Sequence, residues 1–168
     1  GVIQTKLEGI ADSTIIIRKN VMPVIRKFGA GSVQMDSLKA LILHFDSTSL
    51  ITVSDIIEKY GWPGTSQVGE KANGALYLTI QHAQDNSLRE KYFPFLQASA
   101  KSGESRLADV ATMKDRILVD KGKRQLYGTQ YKHIDGQRVL LPTRNMNGLH
   151  KRRKKVGLEE LKLPLSAM

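Results

Sequence analysis

The 168-residue chain contains no cysteine. This absence excludes disulfide bonds, cysteine nucleophiles and thiolate metal sites, although it does not fix the cellular compartment. Aromatic residues make up only 6%, and Trp62 is the single tryptophan. No apolar run approaches the ~20 residues of a membrane-spanning helix. The chain also lacks a His-Glu-x-x-His motif, a phosphate-binding glycine loop and a nucleophile elbow, which excludes several common enzyme classes at the level of motifs.

The remaining composition is ordinary for a soluble globular protein, with 40% hydrophobic and 25% charged residues. The net charge of +10 is partly local, because residues 151–155 are five consecutive cations. Such a run is typical of a patch that binds nucleic acid or another anionic surface, or of a solvated segment. No aromatic residue interleaves the run, so a stacking platform for single-stranded nucleic acid is unsupported.

Apolar residues at helical spacing predict a mainly α-helical fold. A loop is expected at residues 46–49. We expect Pro23 to kink or divide the first helix, and Gly122 to end the last long one. The predicted helices cover residues 1–28, 33–45, 55–60, 66–83, 87–101 and 105–121.

After Gly122 the pattern becomes strand-prone. Residues 125–133 and 137–141 flank Ile134-Asp135-Gly136, which predicts a hairpin closed by an Asp-Gly turn. The tail is expected to hold a polar loop, the basic run and a short helical turn around residues 158–161. The sequence therefore predicts a single-domain helical bundle over residues 1–168, with a small β-hairpin near residues 125–141.

His82 is the histidine best placed for chemistry. It shares the apolar face of its helix with Ala75 and Thr79, while Gln81 points to the flank. A histidine at the inner end of a buried helix is a candidate general base. The alternative is a core histidine bonded to a backbone carbonyl.

Asp115 lies on the apolar face of its helix, between Ala111 and Leu118. A buried carboxylate must be paired, and Arg116 projects about 100° away on a helix. Candidate partners are His82, a cation from another element, or the loop amides near Gly128. A His82–Asp115 pair would set the imidazole tautomer; the alternative is a structural ion pair.

Tyr127-Gly128-Thr129-Gln130 follows the Gly122 helix end. Glycine permits close approach to a ligand, and Tyr127, Thr129 and Gln130 offer hydroxyl and amide groups that could orient one. Trp62 and Pro63 are expected to plug the end of a helix pair, with ligand stacking as the alternative.

The order of short motifs carries a resemblance. The motifs are Asp46, Tyr60-Gly61-Trp62-Pro63, Gly69, Gln81-His82-Ala83, Tyr92-Phe93-Pro94, Asp115-Arg116-Ile117, Gly122-Lys123, Gln125-Leu126-Tyr127-Gly128-Thr129-Gln130, Arg152-Arg153 and Gly157-Leu158. Together they resemble an uncharacterised bacterial family, a domain of unknown function common in Bacteroidetes. The resemblance covers residues 44–161, whereas residues 1–43 match less well and retain only Arg18 of that helix's usual polar residues.

The resemblance implies a bacterial protein that is often exported or envelope-associated, with no established activity. We accordingly favour an exported or periplasmic location over a cytoplasmic one. Because Arg152 and Arg153 belong to the shared motifs, we expect them to face the folded chain or a bound anion. Lys154 and Lys155 are expected to be solvated.

These observations favour one cleft that binds or hydrolyses a small anionic or peptide-like substrate. His82 would be its base and Asp115 the orienting partner. No metal or cofactor is expected. The alternatives are a non-catalytic interaction module of the envelope, in which the same residues form a structural network, and nucleic-acid binding through residues 151–155, which we do not favour. The expected ligand-binding residues are Gln81, Arg116, Tyr127, Thr129, Gln130, Arg152 and Arg153.

Overall fold

The computed structural model describes residues 1–134 and 137–161, together with the backbone of Ser166 and Ala167. The chain divides into two compact units, Gly1–Gln84 and Asp85–Met168. Helices dominate both, and a small β-hairpin lies in the second. The prediction of a mainly α-helical fold with a hairpin is therefore confirmed. The grouping of residues 1–168 in one domain stays a prediction.

The first unit is helical throughout. Helix α1 packs against α5 and α3, and α2 packs along α3. Leu7, Ile57 and Leu76 are fully buried in its core. Its helices are α1 (Val2–Arg18), α2 (Val21–Phe28), α3 (Val33–Tyr60), α4 (Thr65–Val68) and α5 (Glu70–Gln81).

Helix α3 corrects the loop predicted at residues 46–49, because it continues without a break to Tyr60. The hydroxyls of Ser47 and Thr48 donate to the carbonyls of Leu43 and His44, four residues earlier. These bonds satisfy the polar side chains inside the helix instead of opening a turn.

The first predicted helix is divided, but not at Pro23. Helix α1 ends at Arg18 and α2 begins at Val21, so Pro23 is the third residue of α2. The amide hydrogens of a helix's first turn have no intrahelical acceptor, and a proline there removes no bond.

Gly69 likewise divides the helix predicted over residues 66–83 into α4 and α5. Its φ is +83°, a conformation that residues with a Cβ rarely adopt. Trp62 and Pro63, which precede α4, are buried, and the Asn73 side chain donates to the Pro63 carbonyl at 2.8 Å.

The second unit begins with two helices that pack together, α6 (Asn86–Lys101) and α7 (Leu107–Asp120). The Asp85 carboxylate caps α6 by accepting from the Ser87 amide at 2.9 Å. The Ser87 hydroxyl and, to a lesser degree, this amide hold the pKa of Asp85 below its usual value. Helix α7 is followed by Gly122, which has a φ of +66°, as predicted.

The hairpin is shorter than predicted. Strands β1 (Tyr131–Ile134) and β2 (Gln137–Leu140) pair antiparallel, with Tyr131 opposite Leu140. Ser166–Ala167 forms β3, parallel to β2. The predicted Asp135-Gly136 turn lies outside the described residues. Residues 125–130 are not a strand. Gln125 forms an isolated bridge with Thr143, and the main-chain groups of residues 126–129 bond mainly to side chains. Residues 158–161 do not form the predicted helical turn, and the helix of the tail is α8 (Leu149–Lys155), which contains the basic run.

Within the described residues, α3 is long and apolar enough to cross a membrane by length and composition, although no run of consecutive apolar residues had indicated this. Core helices and signal sequences satisfy the same criterion. Only 22% of its most apolar stretch is buried.

Gly69 and Gly74 give opposite predictions for the same substitution. Gly69→Ala should destabilise the first unit by about 1 kcal/mol or more, because its φ is positive. Gly74→Ala should stabilise it by roughly 0.5–1 kcal/mol, because Gly74 is inside α5 and a Cβ there meets no atom within 4 Å. Urea denaturation of both variants measures the difference, and equal effects would refute the conformational argument.

Candidate functional site

Asp115 is the centre of the polar cluster in the second unit. It projects from α7 and is fully buried. Its carboxylate accepts from the amides of Leu126 at 2.7 Å, Tyr127 at 3.0 Å and Thr129 at 3.1 Å. The Thr129 hydroxyl adds a fourth donor at 2.9 Å. Of the partners considered from the sequence, the loop amides near Gly128 are thus confirmed.

Two arginines of α8 hold the same loop by its carbonyl oxygens. Arg152 Nε donates to the Leu126 carbonyl at 2.9 Å. Arg153 Nη1 donates to the carbonyls of Tyr127 at 2.6 Å and Gly128 at 3.2 Å. Leu126 and Tyr127 are therefore bound on both edges of the main chain, with the acid on the N–H groups and the arginines on the C=O groups.

Both arginines also donate to main-chain carbonyls outside this loop. Arg152 Nη2 donates to the carbonyls of Arg144 and Asn145, and Arg153 Nε to that of Glu159. Arg153 is buried, whereas Lys154 and Lys155 are exposed. The prediction that Arg152 and Arg153 face the folded chain while the two lysines are solvated is confirmed.

Gln125 closes the loop from within. Its side chain is fully buried, accepts from the Gln130 amide at 2.9 Å and donates to the Gln130 and Leu141 carbonyls. The Gln130 side chain donates to the Thr129 hydroxyl at 3.1 Å. We call Asp115, Arg152, Arg153 and Gln125, with the residues 126–130 that they bind, the loop clamp.

Gly128 is required at the centre of the loop. Its φ is +64°, and a Cβ would lie 3.2 Å from Leu161 and 3.5 Å from Leu149. The Tyr131 hydroxyl donates to its carbonyl at 3.0 Å. Backbone conformation and close packing thus both favour glycine here.

The other predicted site residues are on α5, after it, or on the exposed side of α7. Gln81 is the buried last residue of α5 and His82 follows it, both in the first unit, and each makes further polar contacts. Arg116 is exposed on α7 and donates to the Asp120 carboxylate at 3.2 Å. The grouping of Gln81, His82 and Arg116 with Asp115 in one cleft stays a prediction.

Sequence reasoning missed Arg89, which is fully buried in α6. It bonds to Asn86 and to the Asp120 carboxylate, the latter at 2.8 Å. Arg89 precedes Tyr92 by three residues and Leu96 by seven, so a cation on the apolar face of α6 was a visible signal. Gln125 was part of the shared motif, but nothing in its spacing distinguished it from a strand residue.

Asp109 contrasts with Asp115 on the same helix. Burial raises the pKa of Asp109, and the Arg106 guanidinium, 3.9 Å from its carboxylate, only partly opposes the shift. The Asp115 carboxylate accepts hydrogen bonds from four donors, whereas Asp109 lies beside one distant cation.

A separate cavity of about 820 Å³ lies in the first unit. It is formed by the start of α1, the last turns of α3 and the segment that leads into α4. Tyr60 and Pro63 belong to the Tyr60–Pro63 motif and line it. Its charged lining residues are Lys6, Asp55 and Lys59.

The fold and the loop clamp define a mainly α-helical protein whose polar motif residues hold a loop by its main chain. The chain belongs to a family of unknown function, DUF6624, whose sequence profile matches residues 10–165. The occurrence of that family in Bacteroidetes stays an expectation. No curated protein and no solved structure matches the chain.

Asp115→Asn should destabilise the second unit by at least about 3 kcal/mol. The substitution removes the charge and turns one acceptor into a donor that faces the loop amides. Urea denaturation provides the measurement, and Asp55→Asn, an exposed position, is the matched control. A loss below about 1 kcal/mol would show that the clamp does not depend on the buried charge.

Proposed function

We propose that the protein is a non-catalytic interaction module that binds an acidic segment of a partner protein through the second unit, with the loop clamp as its structural framework. The observation that carries the proposal is the complete occupation of the Asp115 carboxylate by loop donors. A carboxylate so engaged supports a structural role better than the orientation of a catalytic histidine.

The arginines support the same choice. Arg152 and Arg153 direct their guanidinium groups to main-chain carbonyls, which are neutral acceptors within the fold. An anion would have to compete with these bonds. We therefore expect the exposed cations around the loop clamp, rather than the clamp residues themselves, to contact the ligand.

Charge distribution indicates an acidic partner. Residues 85–168 hold 18 of the 26 Lys and Arg but 9 of the 16 Asp and Glu, and so carry nine of the ten net positive charges. The outward face of α8 presents Lys151, Lys154 and Lys155, which make no ion pair with any described residue. Main-chain bonds between Gln125 and residues 142–144 place Arg124 and Arg144 on neighbouring segments.

The proposal predicts the effect of neutralising α8. Replacing Lys151, Lys154 and Lys155 by Gln should weaken binding of a labelled polyglutamate peptide at least about tenfold at low salt. Fluorescence anisotropy measures this.

A control variant with Lys59, Lys71 and Lys101 replaced by Gln has the same net charge and should lose much less affinity. Equal losses of affinity in both variants would show that binding depends on net charge alone and not on α8. Tighter binding of duplex DNA than of the peptide at about 200 mM salt would instead favour the nucleic-acid alternative.

A second candidate function, binding of a small peptide-like ligand, is supported by the first-unit cavity. Its volume falls within the ~300–1,000 Å³ of small-molecule sites. Lys6 and Lys59 could receive a carboxylate, and Asp55 an ammonium group.

This candidate predicts that triglycine shifts the backbone NMR signals of Thr52, Asp55 and Ile56, which line the cavity. Lys59→Gln should reduce these shifts, whereas Lys71→Gln, outside the cavity, should not. Shifts scattered over the surface, or none at about 10 mM peptide, would exclude the cavity as a peptide site.

A further inference from the structure

The N-terminal half of α3, residues 33–45, forms a helical hairpin with α2. This hairpin extends beyond the end of α1. Arg18, the last residue of α1, pairs with Asp46 of α3 at 2.7 Å, while the start of α1 and the end of α3 line one cavity. Helix α1 thus runs along residues 46–60 of α3. Residues 33–45 extend roughly 20 Å past the Arg18–Asp46 pair, and α2 packs along them.

Apart from the buried Met35, the apolar side chains of this hairpin are half-buried or exposed. No residue of α2 is buried, although five of its eight residues are Val, Met, Ile or Phe. Met22 is 53% exposed and Phe28 45%. The apolar tip, as we call the exposed apolar side chains of this end, comprises Ile15, Ile16, Met22, Phe28, Val33, Leu41 and Leu43.

Positive charge is concentrated at the same end. Residues 15–45 contain five Lys or Arg and one Asp, whereas the rest of the first unit contains three Lys or Arg and six Asp or Glu. Lys19, Arg26 and Lys27 are exposed. In α2 the apolar residues cover one side, and Arg26 and Lys27 lie on the other.

We infer that the apolar tip docks on an anionic lipid surface. Exposed aliphatic and aromatic side chains flanked by Lys and Arg are the features of helices that lie in the membrane interface, and each cation near an anionic leaflet adds attraction. A second copy of the chain would bring two positive ends together, which disfavours self-association. Asp36, Lys39 and Asp46 lie within the exposed half of α3 or at its border, so the tip rests on the bilayer rather than crossing it.

The cysteine-free sequence permits a direct test of insertion. A polarity-sensitive dye is attached to Ala30→Cys, in the exposed turn between α2 and α3, and in a second sample to Ser102→Cys, exposed in the second unit. Vesicles contain phosphatidylcholine alone or with about 30% phosphatidylglycerol. The dye at position 30 should shift to shorter wavelength only with the anionic vesicles, and the dye at position 102 should not shift.

The apolar contribution is tested by Met22→Ser with Phe28→Ser, which should lower vesicle affinity at least about tenfold. The matched control is Phe95→Ser with Met146→Ser, since these residues are 42% and 43% exposed; its affinity should be unchanged. Circular dichroism verifies that both variants are folded. Neutralising Lys151, Lys154 and Lys155 tests the acidic-partner proposal separately and should leave the position-30 shift intact.

Three results would overturn the inference. One is the absence of a shift at position 30 with anionic vesicles. Another is a shift or an affinity that the Met22 and Phe28 substitutions do not reduce, which would mean that net charge alone draws the protein to the vesicles. The third is a concentration-dependent dimer that these substitutions dissolve, which would identify a second copy as the occupant.

Discussion

The buried charge of Asp115 is the constraint on which the second unit depends. A carboxylate removed from water is tolerated only when donors surround it, and here the loop after α7 supplies them. Turning those amides toward α7 leaves the loop carbonyls on the opposite edge, where they need donors of their own. Arg152 and Arg153 provide these. One buried charge thereby determines the path of the loop and the inward face of α8.

The sequence indicated that Asp115 is buried and must be paired, but it left open which groups pair with it. Asp115 on an apolar helix face and Gly122 after the helix were predictable because each follows from local spacing or chemistry. The inward arginines were expected from the resemblance to the family, whose motifs include Arg152 and Arg153. Which donors would meet Asp115 was open, since that choice depends on tertiary structure. The unbroken α3 was missed because Ser47 and Thr48 favour turns and also bond back within helices. The strand predicted through residues 125–130 was wrong in the same way, because the Gln125 side chain bonds to the main chain of Gln130.

The two units distribute charge and apolar surface differently. The second unit holds most of the net positive charge around a rigidly bonded loop. The first unit is nearly neutral, but its charges are segregated, with cations gathered where apolar side chains are uncovered. A uniform basic protein would attract any polyanion weakly. Segregation instead gives the two surfaces different chemistry. The outward face of α8 presents cations alone, whereas the apolar tip combines cations with apolar side chains.

The loop clamp recognises main chain rather than side chains. Asp115 and the arginines contact amide and carbonyl groups at residues 126–129, which residues of any type other than proline would present in the same way. Gly128, Thr129 and Gln130 contribute through their own residue type as well, Gly128 by its conformation and the other two by side-chain bonds. The side chains at 123, 124, 126 and 127 make none of the hydrogen bonds of the loop clamp. Such a loop can present different side chains on a fixed backbone, as binding loops on a rigid scaffold do.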